Sequence, residues 1–88
     1  MPVVYMVRCA DGTFYTGWAV DVQARIDAHN RGRGAKYTAG RRPVTLVYAE
    51  ACDSKAAALR REHVLKRLTR GQKARLARQT LPSLNPER

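Results

Sequence analysis

Acidic residues are scarce in this chain: 7 Asp and Glu stand against 17 Lys and Arg in 88 residues, a formal charge of +10 at pH 7. That imbalance points to a polyanionic partner, most simply nucleic acid, with an anionic membrane surface as the other candidate. Long apolar runs are missing. No stretch is long enough to cross a bilayer and no charged, apolar, small-residue leader opens the sequence, so a cytoplasmic protein is expected. Cysteine is limited to Cys9 and Cys52, both inside apolar runs. Two such residues make no disulfide framework and read as small buried thiols. No Cys/His group has zinc-ligand spacing, and there is no internal repeat or low-complexity segment. The length admits one small core, which assigns residues 1–79 to a single domain and residues 80–88, with Pro82 and Pro86, to an irregular tail.

What is present is organised around Val3 to Gly17, V-V-Y-M-V-R-C-A-D-G-T-F-Y-T-G. Two apolar, β-prone runs, Val3–Cys9 and Thr13–Trp18, flank Ala10-Asp11-Gly12. Asp-Gly between such runs predicts a β-hairpin. Folding back at the turn sets the two strands side by side, so that Tyr5 and Tyr15 can share one sheet surface, with the register left open. They are either two half-buried strand aromatics or two phenols sharing a site.

Asp21 is placed to cap a helix from Val22 to about His29. Val22, Arg25, Ile26 and His29 fall on one helical face, where apolar side chains are the rule. Arg25 is read either as a snorkelling side chain or as a site residue, and His29 either as a complement to the helix C-terminus or as a site residue. Their pairing, one turn apart, favours a site lining. Asn30 to Pro43, N-R-G-R-G-A-K-Y-T-A-G-R-R-P, is a glycine-broken basic loop. Its Arg31, Arg33, Lys36, Arg41 and Arg42 surround Tyr37. Clustered cations with an aromatic suit phosphate tracking and base stacking; the alternative is a solvated loop with no partner.

Val44–Glu50 reads as a third strand. Asp53 or Ser54 caps a helix over about Lys55 to Arg70, for which Gly71 is the expected stop. Ala58, Leu65 and Leu68 form its apolar stripe, with Arg61 within it and Glu62 at its margin. Glu62 is the only acid between Ser54 and Arg78. It is either a helical ion-pair partner of Lys66 or a carboxylate kept in a basic field to hold a hard cation. A short final helix over Gln72–Gln79 completes an α+β fold of order β-β-α-β-α-α: a three-stranded mixed or antiparallel sheet flanked by helices.

V-V-Y at Val3–Tyr5, Y-T-G at Tyr15–Gly17, R-x-x-x-H from Arg25 to His29 and R-E at Arg61-Glu62, in this order, resemble the GIY-YIG nuclease domain. The likeness covers Pro2 to about Leu76. G-A-K-Y-T at Gly34–Thr38, R-R-P-V at Arg41–Val44 and E-H-V-L-K-R-L at Glu62–Leu68 look like the small stand-alone bacterial members, related to the nuclease domain of the excision-repair protein UvrC. Val3 replaces the opening glycine of the first motif and Thr16 the middle residue of the second. No asparagine follows Glu62 before Asn85.

The resemblance implies a metal-dependent endonuclease that hydrolyses DNA phosphodiester bonds in repair or processing, weakly or structure-selectively. Tyr5 is then the general base or orients the attacking water, aided by His29 as proton acceptor. Tyr15 positions water or phosphate, and Arg25 holds the scissile phosphate. Glu62 binds Mg²⁺ or Mn²⁺, and Gly17 permits close approach at the site. Arg31, Arg33, Lys36, Tyr37, Arg41, Arg42 and Lys66 form the expected DNA-contacting set, with a protein partner as a further source of specificity. The competing reading is a non-catalytic module for DNA or RNA that retains the nuclease fold.

Overall fold

The computed structural model describes residues 1–80. Its elements are β1 (Val3–Arg8), β2 (Phe14–Ala19), α1 (Val22–Asn30), α2 (Lys36–Ala39), β3 (Thr45–Ala51), α3 (Lys55–Lys66) and α4 (Arg70–Thr80). The strands form one sheet in the order β2-β1-β3. Both pairings are antiparallel, so the mixed alternative falls away. The order is the expected one, with the single turn α2 inserted in the basic loop.

The hairpin closes through Asp11. Its Oδ1 accepts from Thr13 N–H at 3.1 Å and from the Thr13 hydroxyl at 2.6 Å. Gly12 takes φ of +86°, the left-handed region that favours glycine. β1 is central, and Val4, Tyr5, Met6 and Val7 all have 0% exposure, so both faces of the sheet are covered. Val4 and Met6 pack with Val47 and Tyr48 against Ala58 and Leu65 of α3 and Ala77 of α4. Tyr5 and Val7 pack on the other face with Ala19, Val44 and Ile26 of α1. Alternate residues of one strand thus serve two cores, which is why Val3 to Val7 reads as a continuous apolar run.

Asp21 caps α1, accepting from Ala24 N–H at 3.0 Å. Of the two cap candidates for α3, Ser54 takes the role, accepting from Ala57 N–H at 3.1 Å. α3 ends at Lys66 rather than Arg70, and Gly71 lies inside α4 rather than stopping α3. The cause is a reciprocal capping box. The Thr69 hydroxyl accepts from Gln72 N–H at 3.1 Å, and the Gln72 side chain accepts from Thr69 N–H at 2.8 Å. Two satisfied donors at that point outweigh the glycine. Of the expected tail, Thr80 closes α4 and residues 81–88 lie outside the described residues.

Thr69→Ala removes one half of this box and lowers stability by about 1 kcal/mol, read as a reduced urea midpoint at unchanged slope.

Candidate active site

The hairpin register places the first two site residues. Tyr5 lies across from Gly17 and Val7 across from Tyr15, so both phenols stand on the α1 face of the sheet. Gly17 is needed because the Tyr5 ring occupies the space over it. A Cβ there would sit 2.8 Å from the Tyr5 hydroxyl and 3.3 Å from the Tyr15 ring. The close approach expected at Gly17 is therefore made by Tyr5 itself.

His29, on the last turn of α1, is brought beneath the two tyrosines. Its ring packs edge-on to Tyr15, with centroids 5.2 Å apart, and to Tyr5 at 5.8 Å. It has 0% exposure, and both ring nitrogens are engaged. The hydroxyl of Thr38, in α2, donates to the Ala35 carbonyl at 3.1 Å. Its lone pairs accept from His29 Nδ1–H, 2.7 Å away. That tautomer leaves Nε2 unprotonated, and Nε2 accepts the Tyr5 O–H at 2.7 Å. Gly34 makes the packing of this loop against His29 possible: a Cβ at that position would lie 2.1 Å from Nδ1.

Burial and charge set where the proton rests in this chain. Burial, then the neighbouring Tyr15, pushes the Tyr5 phenol up to about 12, while the Arg25 guanidinium pulls the other way. Burial, then Arg25, holds His29 below its ordinary 6.5. Tyr5 therefore keeps its proton and His29 is neutral at pH 7.

Arg25 and Glu62 approach from the two flanks. Arg25 sits on the exposed side of α1, where its charge is felt at both Tyr5 and His29. The Glu62 side chain, on α3, is 17% exposed; its charge also reaches Tyr5, and it pairs with Lys66 Nζ at 3.3 Å. Among the described residues no group of three or more His, Cys, Asp or Glu side chains converges. One sheltered carboxylate is nonetheless a donor set that suits a hard divalent cation, which takes one or two carboxylates and completes its shell with water and phosphate. Arg61, beside Glu62 in sequence, faces elsewhere: it donates to Glu50 at 2.9 Å and so braces α3 against β3.

The basic loop divides into two groups. Arg41 donates to Asp11 at 3.0 Å and to the Tyr37 carbonyl at 2.7 Å, and lies 4.0 Å above the Tyr37 ring. Arg42 donates to the Ala39 carbonyl at 2.9 Å. Both latch the loop. Arg31, Arg33 and Lys36 are exposed and make no side-chain hydrogen bond or ion pair among the described residues. Tyr37 stacks on Tyr15 at 6.0 Å. Thr38 and Gly34 stood in the sequence within G-A-K-Y-T but carried no role there. Only the folded loop shows that they hold the histidine.

A three-stranded antiparallel sheet with two tyrosines, an arginine, a histidine and a glutamate gathered at one site defines a class. The catalytic-domain pattern of the GIY-YIG family matches residues 1–75. The chain belongs to the GIY-YIG family and has its nuclease-type fold. Within that family it is similar to the UPF0213 proteins. One from Staphylococcus aureus (strain Mu3) is 55% identical over 76 residues, covering 86% of this chain and 93% of the relative. The solution NMR structure of the UPF0213 protein BH0048 from Bacillus halodurans matches with a TM-score of 0.58 at 44% identity, over 92% of this chain and 87% of that one. EF2693 from E. faecalis matches with a TM-score of 0.56 at 38% identity, over 98% and 88%.

Thr38→Val keeps the shape but strands the His29 Nδ1–H. The expected cost is ~1–3 kcal/mol, with the ring ¹⁵N signals of His29 moving from the Nδ1–H to the Nε2–H tautomer and Thr38→Ser restoring them. An unchanged tautomer in the valine variant would show that Thr38 does not set it. Because the folded state holds His29 neutral, the unfolded chain binds more protons below pH 6.5. Stability from this group is complete above pH 6.5 and falls as the pH drops through the lower folded value. Tyr5 acts in the opposite sense, its contribution fading between pH 10 and about pH 12. Urea midpoints across pH check both limbs.

Proposed function

We propose that this protein is a metal-dependent endonuclease that hydrolyses DNA phosphodiester bonds, with Tyr5 and His29 as its proton relay. The observation that supports this most directly is the 2.7 Å hydrogen bond from the Tyr5 hydroxyl to a histidine nitrogen whose other nitrogen is anchored by Thr38. A merely structural tyrosine needs a partner, but not a base held in one tautomer.

The opposed shifts at Tyr5 and His29 decide how the relay runs. Burial pushes the phenol up to about 12 and holds the imidazole below its ordinary value. Moving the proton first, to leave a phenolate beside an imidazolium, would run against both shifts, since burial disfavours each charged form. The favoured course is coupled. The water oxygen attacks phosphorus and gives its proton to the Tyr5 oxygen, while the Tyr5 proton passes to His29 Nε2. The bond from phosphorus to the leaving oxygen then breaks, solvent supplies that oxygen's proton, and His29 later returns its own proton to solvent. Tyr15 and Arg25, which are nearer the surface than Tyr5, meet the phosphodiester first. Arg25 holds the non-bridging oxygens and offsets their growing charge, and Tyr15 orients the group.

Glu62 is the residue that would hold Mg²⁺ or Mn²⁺, with Lys66 displaced toward the DNA. Such an ion supplies stabilisation of the developing negative charge. A role in DNA repair or processing fits a surface whose cations carry little sequence information.

The ion pair between Glu62 and Lys66 favours a second reading, a nucleic-acid-binding module in which Glu62 has only a helical role. A panel of labelled duplex, flapped, branched and single-stranded DNAs, with Mg²⁺ or Mn²⁺ against EDTA, separates the two. The nuclease reading expects cutting that EDTA and Glu62→Ala both abolish, with DNA affinity unchanged or slightly raised in the variant. Arg25→Ala is expected to weaken binding and turnover together, each by about tenfold or more. Binding without cutting in every protein would select the module.

A further inference from the structure

Two adjoining cavities, of about 310 and 190 Å³, lie beside the site and share Phe14, Tyr37 and Lys73 as walls. Together they form one groove. Tyr15 and Lys66 line the end nearer the site, and Arg70 lines the far end. Three of the chain's six Phe, Trp and Tyr residues are here, including its only phenylalanine. No acidic side chain lines either cavity. Tyr37 keeps 38% of its surface exposed although Arg41 and Tyr15 fix its ring. Lys73 makes no side-chain hydrogen bond or ion pair among the described residues.

We infer that this groove holds an unpaired DNA strand adjoining the scissile phosphate, so that the preferred substrate is a flap or overhang rather than continuous duplex. The inference rests on the nuclease reading for the cut itself, but not for the binding. A duplex presents phosphates outward and hides its base faces in the stack, so it has use for the cations of the groove and none for its aromatic walls. A single strand uses both: its phosphates meet Lys66, Arg70 and Lys73, and a base enters against Phe14 and Tyr37. The groove also leads somewhere. Tyr15 packs on His29, and Lys66 is the partner of Glu62, so both residues border groove and site at once. A strand lying along it would deliver the next phosphate to Arg25 and Tyr5.

The test needs no metal at first. Fluorescence anisotropy in EDTA compares wild-type binding of a short oligothymidine, an abasic strand with the same number of phosphates, and a duplex of equal charge. The base-bearing strand is expected to bind about tenfold tighter than the abasic one for each stacked base, and tighter than the duplex at elevated salt. Tyr37→Leu is expected to bring the two strands within about twofold while leaving the salt dependence unchanged. Equal binding of base-bearing and abasic strands by wild type, or tighter binding of duplex, would overturn the proposal without recourse to any variant. Cleavage with Mg²⁺ is a separate readout. A base preference with no cutting supports the groove and removes the nuclease, whereas cutting of duplex with no base preference does the reverse.

Discussion

The site depends on keeping one proton buried. Tyr5 donates to His29 Nε2 inside the fold, and both residues are at 0% exposure. That demand places Tyr5 on the central strand, where β2 and β3 close its edges and helices cover both faces. It also requires two positions without side chains: Gly17 beneath the phenol and Gly34 against the imidazole. A β-carbon at either site would push the ring off the hydrogen bond. The two glycines therefore serve the geometry of the Tyr5–His29 hydrogen bond, and neither needs a left-handed backbone to do so.

Electrostatics in so basic a protein turns on its few acids, and the structure gives several of them a defined place. Asp21 caps α1, Asp11 closes the hairpin and anchors Arg41, and Glu50 braces Arg61. The Tyr48 hydroxyl and Arg61 both hold the Glu50 carboxyl below its ordinary range, Tyr48 the more strongly. Exposed pairs of this kind contribute little to stability. Their effect is to fix arginines that would otherwise wander, so that loop and helix present the site in one arrangement. Among the described acids, Glu62 is the one whose charge reaches the inner tyrosine.

Much of this was legible in the sequence, for physical reasons. The hairpin followed from Asp-Gly between β-prone runs, whereas the register that puts Tyr5 and Tyr15 on one face came only with the fold. Arg25 and His29 stood out because charge interrupted a helical face that should be apolar, and Glu62 because it was an isolated acid. What was hidden lay in interactions between distant residues. Thr38 acquires meaning only when α2 folds back nine residues to meet His29. Arg41 and Arg42 looked like contacts for phosphate, yet protein carbonyls and Asp11 engage them first. Gly71 looked like a stop, and the Thr69–Gln72 box, itself visible as T-R-G-Q, was the stronger signal.

Division of labour among the cations is the last consequence of these contacts. Arg41, Arg42 and Arg61 are held by the protein's own acceptors, and so lose part of their attraction for a phosphate before it arrives. Arg31, Arg33 and Lys36 on the loop, with Lys73 on α4, have no such partner among the described residues. A net charge of +10 thus overstates the number of groups that meet nucleic acid. Counterion release scales with the phosphates neutralised, not with the formal charge. The fixed arginines shape the surface, the exposed cations are the groups left to meet a polyanion, and on the inference above the aromatic residues beside Lys73 would tell an exposed base from a paired one.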